Sequence, residues 1–228
     1  MAFNVVERIP DAVQIRHVLI IVFDKTGLRE LVTGLMEACP DVRFYSTGGT
    51  FRRVAEVPGA ADRLTAISEI TGQPEMQGGL VKTLDFSLYL GLLSEPYNDD
   101  HDDDIRRTGA TVFDAVIVNL YPFSSAIEDP DVSVETARGN IDIGGPTMLR
   151  AGAKNFIRVA SVCDPADYSA IVEEARADGG RLGVATRFRL AQKVFSHTAA
   201  YDTAIARFLS SKASADLPYH REHATHEE

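Results

Sequence analysis

The chain has 228 residues, 45% of them hydrophobic and 25% charged, with a formal net charge of −10. Such a composition builds one large globular domain or two small ones. The negative charge excludes a broad nucleic-acid-binding face, which needs clustered Lys and Arg, yet leaves room for a phosphorylated small molecule held by a few amides and cations.

Residues 1–16 read as an N-terminal surface arm. His17–Phe23 is a continuous apolar run, as expected of a strand buried on both faces. Asp24-Lys25-Thr26-Gly27 turns the chain into a helix over Leu28–Ala38. Arg43–Ser46 reads as the second strand, and Thr47-Gly48-Gly49-Thr50 opens the next helix. Strand, glycine-containing loop and helix, repeated, predict an α/β parallel sheet. Residues 59–110 are rich in turn signals, and the acidic cluster Asp99–Asp104 reads as a solvated loop.

Val112–Leu120 is the clearest later strand and runs into Tyr121-Pro122-Phe123. A short helix is expected over Ser133–Gly139, a strand over Val159–Val162, and a helix capped by Asp164. Residues 184–212 read as one long amphipathic helix with Phe188, Ala191, Phe195, Thr198, Ala199, Ile205 and Phe208 on its packing face. The polar tail 213–228 follows, with His220, His223 and His226. Cys39 and Cys163 have no partner at metal-ligand spacing. No signal-peptide pattern opens the chain, and no apolar run nears the ~18 residues of a membrane span. The expected setting is a reducing cytoplasm, with no metal and no membrane.

Three features carry candidate chemistry. Lys25-Thr26-Gly27 and Thr47-Gly48-Gly49-Thr50 each join a buried strand to a helix. In a parallel sheet both emerge at the carboxyl ends of the strands, where backbone N–H groups favour an anion. Either turn alone reads more readily as a plain tight turn, and two on successive units, one with a lysine, bring the anion reading level with it. Val81-Lys82-Thr83 sets a cation beside a hydroxyl. Asn140–Thr147 holds Asp142 between Ile141 and Ile143, ahead of Gly144-Gly145-Pro146, where glycines allow close backbone approach. Lys154 lies 12 residues after Asp142, roughly 18 Å along an unbroken helix. The two can meet only where the helix starts well after Asp142.

In order, Phe23–Leu28, Ser46–Thr50, Glu69–Gly72, Pro74–Met76, Val81–Leu84, Asn119–Phe123, Asn140–Thr147, Ala153–Asn155 and His197–Ala199 form a recognisable set. Over residues 17–212 the chain resembles the IMP cyclohydrolase domain, the partner of AICAR formyltransferase in a bifunctional purine-biosynthesis enzyme. The resemblance implies a methylglyoxal synthase-like fold with a C-terminal helical extension. It also implies ring closure of formyl-AICAR to IMP with loss of water, without cofactor or metal. By resemblance Lys82, Tyr121, Asp142 and Lys154 are catalytic. Lys25, Thr26, Gly27, Thr47, Gly48, Gly49, Thr50, Thr83, Asn119, Gly144 and Gly145 hold the substrate, Asn119 orienting its base.

A homodimer is the family expectation, and formyl-AICAR would come from a separate AICAR formyltransferase. The chain departs from the family pattern at Phe23 (usually Ser), Leu80 (usually Arg), and Asp85 and Tyr89 (each usually His). These changes keep open an alternative, a catalytically impaired purine-nucleotide-binding module with a regulatory or scaffolding role. A third reading, phosphate elimination from a small sugar phosphate, shares the fold by analogy alone.

Overall fold

The computed structural model describes residues 5–73 and 83–219. It divides into two compact units, Met1–Leu120 with Ile143–Thr198, and Tyr121–Asp142 with Ala199–Glu228.

The first unit is built on a five-stranded sheet of β2 (His17–Val22), β3 (Arg43–Ser46), β4 (Leu64–Ala66), β5 (Ala115–Asn119) and β6 (Ala160–Val162), in the order β4-β3-β2-β5-β6. Every pairing is parallel, with His17 beside Arg43 and Val18 beside Ala115. Parallel pairing forces each return through a crossover, so both faces are covered. Val18, Leu19 and Ile20 are accordingly solvent-free.

One face carries Val18, Ile20, Val22, Ile117 and Val162. They share a core with Leu28, Leu31, Val32 and Leu35 of α1 (Leu28–Ala38) and with Tyr168, Ile171 and Val172 of α9 (Tyr168–Ala177). The other face receives α8 (Gly144–Lys154), where a Cβ on Gly152 would lie 2.5 Å from Val116 Cγ1. Behind α8 packs α4 (Phe86–Leu93). The parallel sheet, its flanking helices and the long C-terminal helix agree with the expected methylglyoxal synthase-like architecture.

Three expectations are corrected. The N-terminal arm is not wholly a surface segment. β1 (Ala12–Gln14) pairs antiparallel with β7 (Arg181–Gly183), and Ile15 is buried. The acidic cluster is not a loop but the start of α5 (Asp99–Thr108). Asn98 Oδ1 accepts the His101 N–H, Asp99, Asp100 and Asp102 sit at the positive end of the helix dipole, and Arg106 and Arg107 at the negative end. These terminal preferences outweigh the low apolar content.

The long helix, α10 (Val184–Ser210), forms as expected, and Ala191, Thr198 and Phe208 of the expected face are buried, but Arg187, Leu190 and Val194 join them in the buried stripe. Phe188 and Phe195 are 46% and 40% exposed. Arg187 takes the inner position because its guanidinium satisfies four carbonyls, of Pro10, Phe156, Ile157 and Leu182. Two short helices complete the described α/β unit, α2 (Gly48–Ala55) and α3 (Ile67–Thr71).

The second unit has a small core of Phe123, Ala137 and Phe208, joined by Ile127, Val132, Ile141, Tyr201 and Ile205. It includes α6 (Phe123–Ala126) and α7 (Val134–Gly139), the latter capped by the Ser133 hydroxyl on Thr136 N–H. Phe123 meets Tyr201 and Phe208 edge-on, at 6.2 and 6.0 Å between centroids. No described helix is long and apolar enough to cross a membrane. The described residues contain no group of three or more His, Cys, Asp or Glu placed to hold a metal.

Candidate functional site

Sheet topology locates the site. The chain moves outward from β2 to β3 and β4, then returns to the other side of β2 as β5 and β6. The strand order therefore reverses between β2 and β5, and ligands of open α/β sheets bind outside the carboxyl ends at such a reversal. The turn after β2 carries Lys25, Thr26 and Gly27, and β5 ends on Asn119.

The β2–α1 turn is tightly specified. Asp24 Oδ1 accepts both the backbone N–H of Thr26, at 2.9 Å, and its hydroxyl, at 2.7 Å. Those bonds hold the Asp24 carboxyl below its ordinary range. Gly27 is the α1 N-cap at φ +69°, a left-handed conformation that costs a side-chain-bearing residue energy. Lys25 Nζ donates to the Val22 and Phe23 carbonyls. Partial burial lowers its pKa, opposed by Asp24 and reinforced by Arg53. Lys25 also borders a cavity of about 120 Å³ with Arg29 and Arg53. A cation and a helix amino terminus thus share one short turn, as an anion site requires, while the Thr26 hydroxyl and N–H are engaged by the Asp24 carboxylate.

The β3–α2 turn follows the same logic. Thr47 is the extended N-cap, Gly48 has φ +56°, and Gly49 is exposed with open space where a Cβ would stand. Gly48, Gly49 and Thr50 open α2, where backbone N–H groups lack intrahelical acceptors. Thr50 corrects its expected role. It is 3% exposed, and its hydroxyl donates to Val22 O and accepts Val22 N–H. It ties α2 to β2 instead of offering a group to a ligand. Asn119 is corrected likewise. Its Oδ1 accepts Phe23 N–H at 2.6 Å and Asp24 N–H at 2.8 Å, while Nδ2 donates to Asp24 O at 2.9 Å. The amide holds the turn and is not free to orient a base.

At the start of α8, Gly144 lies so close to Thr83 that a Cβ would stand 2.7 Å from its hydroxyl oxygen. Gly145 is buried. Thr147 Oγ1 donates toward the Ile143 and Gly144 carbonyls and accepts from Tyr89 at 2.7 Å. Tyr89 is thus tied to α8 at a position where the resembling family has His. Asp85 is the N-cap of α4, accepting Ser87 N–H at 2.8 Å, and its substitution serves helix capping. Lys82 and Leu80 lie outside the described residues.

Lys154 is the last residue of α8, exposed. α8 begins at Gly144 and runs unbroken, leaving Lys154 about 15 Å along the axis from that end.

Tyr121 and Asp142 belong to the second unit. Tyr121 is 48% exposed, and its carbonyl accepts Phe123 N–H at 2.8 Å. Asp142 is half-buried, and its backbone N–H donates to the Tyr201 hydroxyl at 2.8 Å. Tyr201 and the dual use of Asn119 escaped sequence reasoning, and Tyr89 stood out only as a departure from the family pattern. Only the Asp-x-Thr spacing of the β2–α1 turn carried a local signal, that of an Asx-type turn.

The sequence matches the MGS-like domain family over residues 27–147 and the family described as AICARFT/IMPCHase bienzyme over residues 152–228. Bifunctional purine biosynthesis protein PurH of Rhizobium leguminosarum bv. trifolii is 42% identical over 215 residues, 93% of this chain and 38% of that protein. PurH of Ruminiclostridium cellulolyticum is 46% identical over 195 residues, 86% of this chain and 37% of that protein. The chain therefore spans well under half the length of these relatives. A solved structure described as "Crystal structure of ForH" superposes with a TM-score of 0.70 at 31% identity, covering 84% of this chain and 97% of that one.

Proposed function

The chain belongs to the MGS-like domain family, and from that premise we propose that it is an IMP cyclohydrolase acting in purine biosynthesis. It closes formyl-AICAR to IMP, a substrate that AICAR formyl transfer supplies. The observation that carries the reading is the β2–α1 turn, with Lys25 and the α1 N-cap Gly27, at the point where strand order reverses, within a PurH-like sequence. Such a turn suits the 5′-phosphate of a nucleotide.

In the proposed reaction the carboxamide nitrogen attacks the formyl carbon of the same molecule. A C–N bond forms, the carboxamide nitrogen gives up one proton and the formamide nitrogen the other as a C=N bond forms, and the formyl oxygen leaves as water. The protein has to hold the reactive rotamer, move those protons and stabilise that oxygen. We assign Lys82 to the formyl oxygen as cation and proton donor. Asp142 and Tyr121 polarise the carboxamide and move its proton. Lys25, Thr26 and the amides opening α2 take the phosphate and ribose. These roles rest on the family resemblance.

The test is the absorbance change on incubating the purified chain with synthetic formyl-AICAR, with no metal or cofactor added. Turnover to IMP is expected. A folded but inert protein at high concentration removes the reading and favours the nucleotide-binding module, to which Phe23, 50% exposed at the β2–α1 turn, already points.

Lys154 stands too far along α8 to join the Gly144 end of its own helix. Its catalytic role therefore requires a homodimer, in which a second copy delivers it. Lys82→Ala and Lys154→Ala are each expected to be nearly inactive alone. Mixed and allowed to exchange subunits, they should recover activity well above either parent, since some mixed dimers regain one complete site. A mixture no better than its parents, with dimers seen by light scattering, would remove Lys154 from the chemistry.

A further inference from the structure

Helix α8 is tied to α4 at both ends. At its carboxyl end Asn155 Nδ2 donates to the Leu92 and Ser94 carbonyls, each at 2.8 Å. At its amino end Thr147 Oγ1 accepts from the Tyr89 hydroxyl at 2.7 Å. Thr147 has lone pairs to give because its own proton serves the Ile143 and Gly144 carbonyls one turn back, each at 2.9 Å. Burial raises the Tyr89 pKa against the pull of the Thr147 bond, so the phenol keeps its proton and donates.

The helix that carries Tyr89 is itself held firmly. Asp85 caps α4 by accepting Ser87 N–H at 2.8 Å. Arg158, 8% exposed, holds the other end, Nη2 donating to Gly91 O at 2.7 Å and Nε to Ser94 O at 3.0 Å. Gly91 has no room for a Cβ, which would strike the Thr111 carbonyl. From this fixed support the Tyr89 bond reaches the first turn of α8. There Gly144 lies so near Thr83 that a Cβ would stand 2.7 Å from its hydroxyl oxygen. Thr83 directly follows Lys82 in the chain, and Gly144 follows Asp142 by two residues.

We propose that Tyr89 is a positioning residue for purine-nucleotide binding, acting through Thr147 to hold the amino end of α8 against Thr83. The inference rests on the proposed function, in which Thr83, Gly144 and Gly145 belong to the substrate site. It makes the affinity of that site depend on one phenol hydroxyl from α4. Tyr89→Phe removes the donor and keeps the ring. Thr147→Val removes the acceptor and keeps the shape, and Thr147→Ser keeps the hydroxyl.

IMP binding is measured by calorimetry for the wild type, the three variants and the Tyr89→Phe, Thr147→Val double variant, alongside melting temperatures and kinetics with formyl-AICAR. Tyr89→Phe and Thr147→Val are each expected to bind IMP about three- to tenfold more weakly, the loss of one hydrogen bond. The double variant should bind no more weakly than either single one, since both changes break the same bond. Thr147→Ser should bind as the wild type does. A brace that only stabilises the fold would lower the melting temperature and leave the IMP affinity of the folded protein where it was. Should Tyr89→Phe fail to fold, Thr147→Val against Thr147→Ser decides the same question.

IMP affinity unchanged in Tyr89→Phe or in Thr147→Val overturns the inference, whatever the melting temperature does. So does a double variant in which the two losses multiply, and so does a wild type that does not bind IMP. A wild type that binds IMP yet never turns over formyl-AICAR rejects the cyclohydrolase reading alone, and the binding comparison still decides the role of Tyr89.

Discussion

Arg187→Met is expected to cost the protein about 4 kcal/mol of stability, roughly 1 kcal/mol for each of four carbonyls left without its donor. Arg187 is fully buried. Its Nε donates to Phe156 O at 3.0 Å, Nη1 to Leu182 O at 2.5 Å, and Nη2 to Pro10 O at 2.8 Å and Ile157 O at 3.1 Å. Burial lowers its pKa, while Glu174 and Asp11 favour the charged form. Methionine restores much of the volume but none of the donors. At this chain length the loss corresponds to a fall of about 8–16 °C in melting temperature.

Because one of the four carbonyls belongs to Pro10, hydrogen exchange should accelerate first across β1 and β7. Arg187→Lys keeps the charge but not the fork, and should fall between the two. A melting temperature within about 3 °C of wild type would mean that water reaches these carbonyls and that the guanidinium is dispensable.

Arg187 also shows why parts of the fold were legible in the sequence and others were not. β2, α1 and β3 follow from local pattern. A continuous apolar run, a turn with a glycine and a 3.6-residue repeat suffice, and the observed bounds of α1 are the expected ones. The buried stripe of α10 does not follow, because an arginine among phenylalanines reads as surface until the carbonyls it meets are known. Those lie up to 177 residues away in sequence. The pairing of β1 with β7 is similarly long-range. α5 was hidden because helix-end preferences, from Asn98 to Gly109, decide its fate while its apolar content is very low.

At the candidate site, the residue types of the turns were legible and their duties were not. Thr50 and Asn119 carry polar groups suited to a ligand, but both spend them on β2 and its turn. Only the packing partners distinguish a brace from a binding group. For Lys154 the question is where α8 starts. The glycines before it were compatible with a delayed helix start, and the helix instead accepts Gly144, Gly145 and Pro146 into its first turn, where a missing proline N–H costs nothing.

Asp142→Asn is expected to lower kcat by about 10²–10³-fold, within the range that a positioned general base contributes. KM should change little, because in the proposed reaction the carboxylate acts on the reacting amide and not on the phosphate end. The substitution keeps size and backbone, so the Asp142 N–H still donates to the Tyr201 hydroxyl at 2.8 Å. Tyr201 in turn donates toward Asn140 O at 3.3 Å, and its ring packs edge-on against Phe123. The Asn140–Asp142 segment is therefore held by a phenol from α10, independently of the carboxylate charge.

Tyr201→Phe separates placement from charge. It retains the ring contact and the acid but releases the backbone, and should reduce kcat by about fivefold, the worth of one hydrogen bond. If the loss were due to loop disorder alone, the two variants would match. A hundredfold gap between them would assign the effect to the missing negative charge. An Asp142→Asn enzyme that keeps more than about a tenth of wild-type kcat would make general-base catalysis by Asp142 untenable. The proton leaving the carboxamide nitrogen would then need another acceptor, for which Tyr121, the remaining member of the proposed set on this unit, is the next residue to replace.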